Sequence, residues 1–103
     1  MRLPKRIKVG AFNFNIETSK DIQGLSDSYG ITVKDKQKII LDESLESEVL
    51  QDTLLHEVLH ACWFAAGINK SEEEQVVASL TPFLLMVMKD NPALINFLVE
   101  NNT

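Results

Sequence analysis

The sequence contains a single cysteine, Cys62. No intramolecular disulfide can form, and a reducing compartment is the expected setting. With His60, Ala61 and Trp63 around it, that thiol reads as buried filler rather than as a nucleophile. Long apolar runs are also missing. The longest, residues 61–66 and 80–88, fall far short of the roughly 20 residues that span a bilayer. The basic N-terminus leads into no apolar stretch, so no secretory signal is expected. Positive charge is scarce, with 10 Lys and Arg against 15 Asp and Glu and a net charge of -5. Phosphate binding needs a basic face, so this balance argues against a nucleic-acid partner. The one basic cluster, Arg2, Lys5, Arg6 and Lys8, reads as a solvated strand edge. Repeats, low-complexity tracts and linkers are absent. A single domain over residues 1–103, cytoplasmic and with no membrane partner, is the expectation.

What is present divides into strands followed by helices. Apolar residues alternate at Ile7 and Val9, then at Phe12, Phe14 and Ile16. The phase slips at Gly10-Ala11, which predicts two strands or one bulged strand. Residues 20–28 are polar, contain Gly24 and read as a loop. Residues 29–33 and 38–41 predict a hairpin with 34–37 as its turn. From Ser44 or Ser47 the pattern becomes helical and runs to Ala66, where Gly67 is placed to stop it as the C′ residue. Ser71 with Glu74 three residues on matches a capping box at the head of a helix to about Met88, with a kink expected at Pro82. Asn91 as N-cap and Pro92 at the first helical position open a last short helix through Val99. The fold class is therefore α+β, with a small antiparallel sheet.

Residues 56–60 read His-Glu-Val-Leu-His. Histidines at i and i+4 share one helical face, so both imidazoles can reach one metal ion. Glu57 lies one position round, where its carboxylate meets water rather than metal and can serve as general base. Leu50, Leu54, Val58, Ala61 and Ala65 define the apolar face of this helix. The histidines lie roughly opposite, yet Trp63 and Phe64 flank them, which predicts a helix covered on both sides. Histidines on a covered side need polar partners, and a metal supplies one.

Both of the chain's histidines are used in this motif, so a third zinc ligand must be a carboxylate. Glu72, Glu73 and Glu74 open the next helix. The apolar stripe of that helix (Val76, Val77, Leu80, Leu84, Val87) centres near Glu73, while Glu74 has a competing capping role. Taken alone, these residues leave the choice between Glu73 and Glu74 open.

The run from Leu54 to Ala61, followed by a Glu-led helix, resembles the small zincin-like metallopeptidases of the ImmA/IrrE type. It is closer still to the short versions found in phages and prophages. Supporting features are Ile40-Leu41-Asp42 before the helix and the segment from Lys89 to Pro92. The resemblance covers about residues 29–98. It implies a minimal zincin-like fold and zinc-dependent endopeptidase activity, with a protein or peptide as substrate. In the family the third ligand begins a pattern of Glu, two residues, Ala, Asn or Asp, one residue, Phe, Ala. That pattern puts Glu74 at the ligand position and Val77, Ala78, Leu80 and Thr81 at those that follow, with the small-to-branched changes at Val77 and Thr81 departing from it.

The expected site is thus His56, His60 and Glu74 around Zn2+, with Glu57 as the catalytic base. Residues 29–33 or 38–41 are placed to hold an extended peptide by strand addition, and Tyr29 is a candidate donor to the oxyanion. The alternative is a non-catalytic module that binds a regulatory protein. The contact would then come from Leu94, Ile95, Phe97 and Leu98, residues that otherwise read as core.

Overall fold

A computed structural model describes residues 2–22 and 29–101. The order is strand β1 (Arg6–Val9), β2 (Phe12–Ser19), β3 (Gly30–Val33), β4 (Lys38–Asp42), then helices α1 (Ser47–Ala66), α2 (Glu73–Asp90) and α3 (Pro92–Leu98). A single 3₁₀ turn, Lys70–Glu72, leads into α2. The fold is α+β, as expected. Residues 23–28 of the expected 20–28 loop lie outside the described residues.

The phase slip at Gly10-Ala11 marks a two-residue turn between two strands, since Val9 pairs with Phe12. Gly10 takes a φ of 61° there, the positive value that a tight hairpin needs at its first central position. The second hairpin also forms, with Val33 opposite Lys38 across residues 34–37.

The sheet is mixed rather than antiparallel, with strand order β1-β2-β4-β3. β2 pairs in parallel with β4, Ile16 opposite Ile39 and Thr18 opposite Leu41. Alternating side chains record which face is buried but not which strand lies alongside, nor in which direction. β4 is therefore interior, and β3 is left at the edge.

Phe14 and Ile16 from β2 and Ile39 and Leu41 from β4 point to one face and are buried. Leu50, Leu54, Val58 and Ala61 of α1 pack on them, which is the apolar face expected of this helix. Each such side chain taken fully from water contributes about 1.5–3 kcal/mol. The other side of α1 is covered by α2, whose Val77 and Thr81 are buried. α1 thus lies between the sheet and α2.

Gly67 ends α1 in the left-handed conformation, its N–H bonded to the Phe64 carbonyl at 3.1 Å and that of Ile68 to Trp63 at 3.3 Å. This double bond is the Schellman arrangement. The expected capping box does not form. Asn69 accepts from the Ser71 N–H at 2.9 Å, and α2 begins only at Glu73, which leaves the Glu74 carboxylate for other partners. α2 continues through Pro82 to Asp90. Asn91 does not cap α3 with its side chain but donates back to the Val87 carbonyl at 2.9 Å.

α3 is not core. Phe97, Leu98 and Val99 are each about two-thirds exposed or more, and Phe83 and Met86 on α2 are also exposed. No helix among the described residues is long and apolar enough to cross a membrane.

Candidate metal centre

The two histidines leave α1 on its α2-facing side, and the sharp stop at Gly67 turns the chain back over them. The Trp63 indole donates to the Asn69 carbonyl at 2.9 Å, which ties the connection down to α1. The first turn of α2 is thereby placed above His56 and His60.

Three donor atoms converge. The Glu74 carboxylate oxygen lies 2.8 Å from His56 Nε2 and 3.0 Å from His60 Nε2, and the two Nε2 atoms are 3.2 Å apart. Tetrahedral ligands held about 2.0–2.1 Å from a zinc ion stand about 3.3 Å from one another. The observed edges of 2.8, 3.0 and 3.2 Å come within about half an ångström of that value. Among the described residues, His56, His60 and Glu74 form the cluster with metal-ligating geometry. The Glu74 side chain is 67% exposed, so the triangle opens to solvent on that side and leaves room for a further ligand.

Glu73 does something different. Its side chain is only 8% exposed, as the apolar stripe of α2 foretold, yet it faces the other nitrogen of His60. Glu73 Oε2 lies 2.5 Å from His60 Nδ1, and Lys34 Nζ donates to both Glu73 oxygens at 3.1–3.2 Å. An ionised carboxylate only accepts, so Glu73 favours the tautomer with the proton on Nδ1, which would leave the Nε2 lone pair for a metal. Carboxylate–histidine pairs of this kind fix the ring and its tautomer at metal sites. Burial works to raise the Glu73 carboxyl, but hydrogen bonds from His60 and Lys34 outweigh it and hold it below the usual range. Both carboxylates are therefore engaged, Glu74 on the open side and Glu73 behind.

Glu57 is 4% exposed. The Thr32 hydroxyl of β3 lies 2.7 Å from its Oε1 and 3.0 Å from its backbone carbonyl. Burial pushes the Glu57 carboxyl up, against the opposing pull of the Thr32 hydrogen bond and the two histidines. β3 comes close enough for this contact because of Gly30. A Cβ there would lie 3.0 Å from Thr53 Cγ2 and 3.2 Å from Glu57 Cγ.

No family model matches the chain, and neither does any curated protein or solved structure. What the site can do rests on its own residues.

Of the residues singled out from sequence, His56, His60, Glu57 and Glu74 come together, and Tyr29 lines the same cleft. Cys62 stands apart. It is exposed rather than buried, and partial burial still pushes its thiol up, which keeps it protonated at neutral pH. Thr32, Lys34 and Gly30 were not foreseen. A Thr and a Lys two residues apart at the end of a strand carry no motif, and their roles arise only when β3 meets α1 and α2.

Proposed function

We propose that the protein is a zinc-dependent endopeptidase of minimal zincin type, akin to the ImmA/IrrE group. The observation that carries this reading is the convergence of His56, His60 and Glu74 on one point, with the buried Glu57 carboxylate beside it. His56, His60 and Glu74 would hold the zinc, which when bound supplies a Lewis acid at its open position.

The chain's own groups do the rest. Glu57, its carboxyl pushed up by burial, takes a proton from a water in the cleft and returns it to the leaving amine. Thr32 fixes the carboxylate by its hydrogen bond at 2.7 Å. β3 lies at the sheet edge beside the cleft, where an extended peptide can add as a further strand. β4, flanked by β2 and β3, is not open to such pairing, which supports residues 29–33 over 38–41 as the peptide-binding strand. Purified protein should hold about one zinc per chain, the content of a mononuclear site. His60→Ala should lose it, and a chelator should abolish peptide hydrolysis. Full zinc content in His60→Ala would place the metal elsewhere.

A second reading is favoured by the exposed apolar side chains Phe97, Leu98 and Val99 at the end of α3. In it the metal is structural and the protein acts by binding a regulatory protein. A chelator would then lower the melting temperature of a protein that hydrolyses no peptide.

A further inference from the structure

The cleft does not end at Glu57. A hollow of 260 Å³ beside the histidines shares Gly30, His56 and Glu57 with a second of 200 Å³. That second hollow shares Tyr29, Asp52 and Thr53 with a trough of 360 Å³ between the first half of α1 and the middle of α2. The trough has two kinds of wall. Val49, Pro82, Leu85 and Met86 give it an apolar floor, while Glu48 and Asp52, one turn apart on α1, place carboxylates on it. Glu48 lies in the first turn of α1, where it also offsets the helix dipole. Asp52 lies beyond that turn, and the dipole does not account for it. Among the described residues neither carboxylate takes part in an ion pair.

A purely apolar guest would strip water from these carboxylates without replacing it. A long side chain with an aliphatic stem and a cationic head satisfies both walls, the stem along Leu85 and Met86 and the head at Asp52 and Glu48. Tyr29, at the junction of trough and cleft, adds an aromatic ring suited to a cation. We propose that this trough is a subsite for an arginine or lysine side chain of the peptide substrate, near the bond that Glu57 serves. The assignment rests on the peptidase reading for its purpose, though the trough itself can be tested without turnover.

The test uses two peptides of equal length, one with arginine and one with its neutral isostere citrulline, added to zinc-loaded Glu57→Gln protein with ¹³C-labelled methionine methyls. The arginine peptide should shift the Met86 methyl and leave Met88 in place. It should bind about tenfold tighter than the citrulline peptide, the scale of two partly exposed ion pairs. The preference should shrink with added salt and vanish in the Glu48→Gln/Asp52→Asn background. Equal binding, no binding of either peptide, an unmoved Met86 or an undiminished preference in that background would overturn the subsite. Wild-type cleavage of a mixed peptide library separates the two claims. Cleavage with no enrichment of basic residues removes the subsite and leaves the peptidase standing. Selective arginine binding with no cleavage of any library member keeps the subsite and removes the peptidase.

Discussion

Replacing Glu73 by glutamine changes one buried group that touches no expected ligand atom of the triangle, and its effect can be scaled from the geometry. The carboxylate holds the Nδ1–H of His60 at 2.5 Å and the Lys34 ammonium at 3.1–3.2 Å. Glutamine keeps the size and one acceptor oxygen but loses the charge that makes the His60 nitrogen a better donor to metal. Loss of such a supporting carboxylate lowers metal affinity by about 10–100-fold, or about 1.4–2.7 kcal/mol. Glu74→Gln removes an expected ligand and should cost more. Competition for zinc against a chromophoric chelator ranks the two, with circular dichroism showing that both variants stay folded. Wild-type affinity in Glu73→Gln would refute the supporting role. A larger loss at Glu73 than at Glu74 would reverse the roles assigned to the two residues.

Gly30→Ala should destabilise the metal-free protein by about 1–3 kcal/mol, the usual cost of overpacking, because the new Cβ meets Thr53 and Leu41 at 3.0 Å; an unchanged denaturation midpoint would show that α1 can move away freely. Glu73 has a folded-state carboxyl below its ordinary value, so its contribution to stability is present above about pH 4.5 and lost as pH falls through the lower, folded value. Stability measured from pH 6 to 3 should therefore fall less steeply in Glu73→Gln than in wild type, and parallel curves would contradict this. Cys62, with its thiol pushed up, should react with iodoacetamide at pH 7.5 more slowly than a cysteine in an unstructured peptide. Cys62→Ser should keep full zinc content and turnover, and lost turnover would give the thiol a role that its position does not suggest.

The helices were more legible than the sheet. Two histidines at i and i+4, and the apolar face from Leu50 to Ala61, are local patterns with the period of one helix, and both were recovered. Gly67 was equally plain, since a glycine after the last periodic residue has one common use. Strand positions were also readable from alternation, but not their neighbours. The parallel pairing of Ile16 with Ile39 leaves no trace in either strand taken alone. The same blindness hid Thr32 and Lys34, which gain their partners only through chain reversals 25 and 39 residues long. For the expected third ligand, burial and donor geometry favour different carboxylates. The apolar stripe identified the buried carboxylate, Glu73, while the family pattern identified Glu74, whose oxygen reaches both imidazoles. The end of the chain misled for a different reason. Leu94, Phe97 and Leu98 have the composition of core, but α3 packs on α2 with nothing described beyond it to cover them.

The central claim is that Glu57 is a catalytic base beside a bound zinc, and the most direct measurement of it pairs metal content with turnover in Glu57→Gln. That variant should retain about one zinc per chain, because Glu57 is not among the three converging donors. Its hydrolysis of any peptide that the wild type accepts should fall by about 10²–10⁴-fold, the usual contribution of a general base. A zinc-loaded variant that turns over at the wild-type rate would contradict the account.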